Sequence, residues 1–180
     1  VRAAAGRLPV AAGDRVQDEV LAFIAARLES LLRDQGQPAN VVKAVLAEQA
    51  HNPYAAARAV SALAEATAAD AWEPVLDAYA RSVRITRGED TRYDLRPDAF
   101  TLPAERQLLD AYREAAGQND GTVPTLIASL RHLEPAISNF FEEVLVMDED
   151  PAVRENRLAL LQQIASLAGG IADLSQLEGF

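Results

Sequence analysis

Arg81, Arg84 and Arg87 recur at every third position of one segment, and Arg154, Asn156 and Arg157 stand close together in another. Guanidinium groups hold phosphates and stack on bases, and a side-chain amide reads base edges. These two groups therefore carry the chemistries that binding a single-stranded nucleic-acid loop requires. The Phe140-Phe141 pair could add stacking, although it continues the apolar row Ile137, Val144, Leu145 and fits a core position better. Each arginine also admits an ion pair, since Arg154 and Arg157 lie one turn apart within reach of Glu155 and the acidic run before them. Spacing leaves phosphate contact and salt bridge both open for all of them.

The residues that could do bond chemistry fit structural roles instead. Glu142, Glu143, Asp148, Glu149 and Asp150 place five carboxylates in nine residues, a grouping that in principle suits a divalent cation. Asp150, however, stands directly before Pro151 as a helix N-cap, and acids near a helix start suit its dipole. His51 precedes Asn52-Pro53, and His132 is placed at a helix end; neither has a second imidazole or a Ser or Cys nucleophile nearby. With no cysteine there is neither a disulfide framework nor a thiolate zinc site. Gly169-Gly170 follows a helical segment rather than opening one, so it is no phosphate loop. The expectation is no catalytic residue, no bound metal and no cofactor within this chain.

Helices must position these groups, because apolar residues come at spacings of three and four nearly everywhere and no segment reads as a strand. Asp14 and Gln17 have capping-box spacing, and Val16, Val20, Leu21, Ile24, Leu28, Leu31 and Leu32 follow as one face up to Gly36. Pro38 opens a second helix with Val41, Val42, Val45 and Leu46 inward, and Asn52-Pro53 caps a third. A fourth begins near Asp70 and Glu73 and packs through Trp72, Val75, Leu76, Tyr79, Val83 and Ile85, with the arginine stripe beside that face. From Gly88 to Thr101 the pattern stops, which predicts a loop at 88–101 that is either functional or disordered. Further helices are expected from Pro103 to Gly117, Thr122 to Leu133, Pro135 to Leu145 and Pro151 to Ala168. That makes an all-α bundle of about eight helices without internal repeats.

With 180 residues, 49% of them hydrophobic, the chain can bury one core. Residues 14–180 are expected to form it and residues 1–13 to be a linker. The opening Val1-Arg2-Ala3-Ala4-Ala5-Gly6, without an initiator Met, reads as the middle of a longer polypeptide. No apolar run approaches a membrane span or signal peptide, which points to a soluble, cytoplasmic protein. A net charge of −10 opposes nucleic acid on average. Yet five arginines fall between Arg81 and Arg96, offset there only by Glu89, Asp90 and Asp94, leaving one modestly positive segment.

The last third supplies a specific order of parts: Phe140-Phe141 on one helix, the acidic corner Asp148-Glu149-Asp150-Pro151, then Arg154-Glu155-Asn156-Arg157-Leu158. It resembles the C-terminal end of bacterial glycyl-tRNA synthetase β subunits, a helical, DALR-like anticodon-binding domain that they share with arginyl-tRNA synthetases. Asp18 to Leu28 with Leu31-Leu32-Arg33-Asp34-Gln35-Gly36, then Asn52-Pro53-Tyr54, Arg58 to Leu63 and Leu76 to Ile85 extend the similarity over most of the chain. The resemblance implies a noncatalytic unit that holds the anticodon arm of a glycine tRNA. It implies as partners a catalytic α subunit and the rest of the β subunit, with ATP and Mg used by the parent ligase. The matching positions for RNA contact are Arg81 and Arg84, joined as candidates by Arg87, Arg154, Asn156 and Arg157. The rival expectation is a helical docking domain within the synthetase assembly that touches little RNA. In that case the arginines are paired with acids and an apolar patch is exposed.

Overall fold

The computed structural model describes residues 13–180, so the linker expected at 1–13 falls outside the described residues except for Gly13. Among the described residues there are seven α-helices and no strand: α1 (Asp14–Asp34), α2 (Ala39–Gln49), α3 (Pro53–Thr67), α4 (Trp72–Thr86), α5 (Pro103–Gln118), α6 (Val123–Glu143) and α7 (Pro151–Ala165). Short 3-10 turns lie at Pro97–Ala99, Ser166–Ala168 and Leu174–Gln176. None of these helices is long and apolar enough to cross a membrane.

Local chemistry sets most of the boundaries. The Asn52 side chain accepts from Ala55 N at 3.2 Å ahead of Pro53, and that of Asp150 from Ala152 N at 2.8 Å ahead of Pro151, so both helices start where an oxygen meets orphan amides. Helix α1 stops at Gly36, whose φ of +83° suits a residue without Cβ; Gln37 N then reaches back to Leu32 O at 3.1 Å. The capping box expected at Asp14 does not form. Gly13 takes the cap position, and Asp14 enters the first turn, where its charge faces the positive end of the helix dipole.

Two helices expected at 122–133 and 135–145 are one continuous α6 with Pro135 inside it. Proline cannot donate to the Arg131 carbonyl, which is why it reads as a helix start. Leu130, Leu133 and Ile137, at 1%, 0% and 1% exposure, bury the same face on both sides of it, and that packing carries the helix through. His132 therefore lies within a helix instead of ending one, with Nε2 3.1 Å from Glu114 on α5.

Helix α6 is the hub: α3, α4 and α5 all pack on it, and α7 packs across α4. One connected core runs from Leu28 to Leu177, with Leu63, Leu108, Phe140, Leu160 and Ile164 fully enclosed. After α7 the chain returns to α2, where Asp173 N donates to Ala44 O at 2.8 Å and Gln49 Nε2 to Ile171 O at 2.7 Å. Helix α1 packs on α2 and buries only Leu28 and Leu32, both in its second half. Of the rest of its expected apolar face Val16, Val20, Leu21 and Leu31 are 49%, 41%, 38% and 47% exposed, so that face is half used; Phe23, which lies outside it, is 71% exposed.

Candidate nucleic-acid interface

Helix α4 presents the arginine stripe. Trp72, Val75, Leu76, Ala78 and Tyr79 bury one face against α6 and α7, and the Tyr79 hydroxyl donates to Ala165 O at 2.8 Å. Burial, with the charge of Asp173 second, pushes that hydroxyl's pKa well above the usual phenol range. Ionisation cannot disturb this anchor at ordinary pH. The helix is thus held rigidly from behind while Arg81, Arg84 and Arg87 come out along its edge, Arg81 half-buried and the other two more open to solvent.

Each of these arginines has a different neighbour. The Arg81 guanidinium lies over the Phe141 ring at 4.4 Å and makes no ion pair among the described residues. Arg84 is 5.8 Å from the Phe180 ring centre and 3.8 Å from Asp77. That separation, between exposed side chains, is worth about 0–1 kcal/mol. Arg87 faces Asp173. Burial pushes the Asp173 carboxyl up, but hydrogen bonds from Ser175 and Gln176, with the Arg87 charge, outweigh it and hold the group ionised. Among the described residues none of the three guanidiniums is locked by a short carboxylate bond.

The second group at the head of α7 is built differently. Arg157 is 5% exposed: Nε donates to Glu105 Oε1 at 2.6 Å, and Nη1 to Asp148 Oδ2 and Leu145 O, both at 2.8 Å. Glu105, itself 2% exposed, uses its other oxygen to accept from Thr101 N and Leu102 N at 2.9 Å each, capping α5. The Asp148 carboxyl is held below the usual carboxylate range by the Asp150 N–H and then by Arg157. Arg154, half-buried, donates from Nη1 to Asp148 O at 2.9 Å. This network fastens α5, the 144–150 corner and α7 to one another.

Asn156 is 2% exposed and acts as a substitute peptide group, accepting from Arg96 N at 2.7 Å and donating to Arg96 O at 3.0 Å. Gln162 repeats the device six residues on, accepting from Tyr93 N at 3.1 Å and donating to Thr91 O at 2.8 Å. The 88–101 segment is accordingly a defined strap laid along α7. Phe100, 2% exposed, anchors its far end, and Arg106 donates twice to the Phe100 carbonyl at 3.1 and 3.0 Å.

Of the six candidate positions, then, Arg81, Arg84 and Arg87 come together on an accessible edge. Arg154 sits apart at the head of α7, and Asn156 and Arg157 lie inside, with the Asn156 amide and the Arg157 Nε and Nη1 bonded within the protein. Phe140 is fully buried, as its place in an apolar row suggests, whereas Phe141 stands edge-on to Phe140 and meets Arg81 with its face. Sequence reasoning missed Glu105, although it stands three residues after Leu102 at capping-box spacing; nothing in the sequence pointed to Phe180 beside Arg84. Among the described residues no group of three or more His, Asp and Glu could hold a metal ion.

Comparison with known proteins matches residues 75–174, from α4 through the strap to the last turn, to the DALR anticodon binding domain. The chain is 38% identical over 168 residues to the chloroplastic/mitochondrial glycine–tRNA ligase 2 of Arabidopsis thaliana, covering 91% of this chain and 16% of that protein. It is 34% identical over 169 residues to the glycine–tRNA ligase β subunits of Moorella thermoacetica and Geotalea daltonii, covering 91% of this chain and 24% of each. The chain therefore spans about a quarter or less of the length of these curated relatives.

Proposed function

This chain belongs to the DALR anticodon-binding domain family, and from that premise we propose that it holds the anticodon arm of a glycine tRNA for a glycine–tRNA ligase. It contributes binding and orientation and no bond chemistry of its own. The observation that carries the reading is the α4 edge, where Arg81, Arg84 and Arg87 stand on a helix fixed from behind with no short carboxylate bond on any guanidinium among the described residues. Such groups can exchange weak neighbours for phosphates at little cost, which lets a protein of net charge −10 still offer a local anionic-backbone site. Arg154, with one carbonyl contact, is a secondary candidate at the head of α7. Asn156 and Arg157 act from inside, keeping the strap and corner in register behind that surface.

In this reading the remaining part of a β subunit and a catalytic α subunit complete the ligase, in the cytoplasm or its organellar equivalent. ATP and Mg serve glycine activation elsewhere in the assembly. Among the described residues the groups nearest to such a role are otherwise engaged: Asp150 caps a helix, Asp148 is bonded to Arg157, and Gly169-Gly170 closes α7 rather than opening a helix. Holding the anticodon arm at a fixed distance positions the acceptor end of the tRNA, and orientation of that kind is a rate contribution without a reacting group.

The test is Arg81→Ala with Arg84→Ala. Affinity for glycine tRNA should fall, and the slope of log K against log salt should flatten by about 0.7–0.9 for each phosphate no longer neutralised. Glycine-dependent adenylate formation by the whole ligase should remain. Unchanged tRNA affinity removes the α4 edge from the reading. A second reading, docking within the assembly with little RNA contact, is favoured by α1, whose Val16, Val20 and Phe23 form an exposed apolar stripe. It gains if the double variant binds tRNA normally while Phe23→Ser weakens association with the rest of the ligase.

A further inference from the structure

We infer that Arg81 and Arg84 hold RNA by stacking unpaired bases on their guanidinium planes, each plane supported from beneath by an aromatic ring, so that α4 carries a two-step stacking platform rather than two point charges. The inference rests on the anticodon-arm reading and deepens it by assigning the chemistry of contact.

Two ladders of the same construction meet the helix from different parts of the fold. In the first, Phe140 is fully buried, Phe141 stands edge-on to it at 5.7 Å with an interplanar angle of 81°, and the Arg81 guanidinium lies 4.4 Å from the Phe141 centroid. In the second, Tyr79 is anchored on the Ala165 carbonyl, Phe180 stands edge-on to it at 6.3 Å and 63°, and Arg84 lies 5.8 Å from the Phe180 centroid. Each guanidinium thus stands over a ring that is itself packed against a buried aromatic, closely for Arg81 and near the outer limit of about 6 Å for Arg84. A ring face holds a cation through its quadrupole, and a guanidinium so held keeps its outer face and in-plane donors available. Bases stack on Arg planes whatever their identity, and the in-plane N–H groups remain free for a neighbouring phosphate. A point-charge contact would need none of this support, and lysine would serve it equally well.

The spacing suits splayed bases rather than a continuous stack. Residues three apart on a helix are separated by about 4.5 Å along the axis and about 60° around it. Two bases on Arg81 and Arg84 would therefore diverge, as bases do in an opened single-stranded loop.

The test uses a glycine tRNA transcript with 2-aminopurine in the anticodon loop, titrated with the chain and with Arg81→Lys, Arg81→Ala and Phe141→Leu. Melting temperature is recorded for each variant, and Arg81→Lys leaves the core untouched. Stacking predicts quenching of the probe by the unsubstituted chain. It also predicts loss of that quenching in Arg81→Lys, with affinity down on the order of ten-fold and the salt slope retained. Phe141→Leu should weaken quenching in the same sense. Full affinity and quenching in Arg81→Lys overturn stacking while leaving anticodon-arm binding in place. Unchanged affinity in Arg81→Ala likewise overturns stacking on Arg81 and takes that residue out of the α4 edge; no binding by the unsubstituted chain overturns the anticodon-arm reading as well.

Discussion

Replacing Arg157 by Met removes the cation from a buried cluster and leaves Glu105, 2% exposed, with an uncompensated carboxylate. The Glu105 oxygen at 2.6 Å, the Asp148 oxygen at 2.8 Å and the Leu145 carbonyl at 2.8 Å are all deprived of their donor at once. Removing one partner of a buried ion pair costs about 3–5 kcal/mol. In a domain of this size each kcal/mol lowers Tm by about 2–4 °C, so a fall of about 6–20 °C is expected in a thermal melt followed by circular dichroism. Adding Glu105→Gln should recover much of the loss, because the amide oxygen still accepts from Thr101 N and Leu102 N while the buried charge is gone. Salt should change the result little, since the pair is shielded from solvent. A Tm within about 3 °C of the unsubstituted chain, or a double variant no more stable than Arg157→Met, would refute the account of this cluster. A drop in tRNA affinity without a Tm change would return Arg157 to the RNA surface.

Other expectations follow from the same geometry. Asn156→Ala and Gln162→Ala each remove a paired donor and acceptor for the strap, at about 1–3 kcal/mol; hydrogen exchange at Arg96 N and Tyr93 N should accelerate while helix content by circular dichroism stays constant. Because the Asp148 carboxyl is held below its ordinary value, its stabilisation is present above the ordinary carboxylate range and is lost as pH falls through the lowered folded value. Acid titration of Tm should therefore show a loss below about pH 4 that is flatter in Asp148→Asn. Phe23→Ser should change stability by no more than about 0.5 kcal/mol, since the ring is 71% exposed; a large loss in urea unfolding would contradict the placement of α1.

Where structure depends on neighbours in the chain, the sequence was legible. Asn52-Pro53 and Asp150-Pro151 mark helix starts because cap and N1 preferences are local, and Gly36 ends α1 for the same reason. Pro135 misled because its local meaning was overridden by burial on both sides, which no window around it reveals. The α4 edge was readable as a stripe at spacing three. Arg157 and Asn156 were not readable as internal fasteners, because their partners Glu105 and Arg96 lie 52 and 60 positions away. A guanidinium or an amide has the same chemistry for a carboxylate or a peptide group as for RNA, so residue type alone could not separate the two uses. The strap was read as a loop of open purpose for the same reason: its backbone partners are side chains of a distant helix.

The most direct test of the central claim is a salt titration of this chain's binding to glycine tRNA, to the same tRNA with its anticodon replaced, and to a non-cognate tRNA. Anticodon binding through α4 predicts tighter binding of the cognate, loss of that preference when the anticodon is replaced, and a linear log–log salt dependence that flattens in Arg81→Ala with Arg84→Ala. Equal affinity for all three tRNAs, or none at low salt, would contradict it.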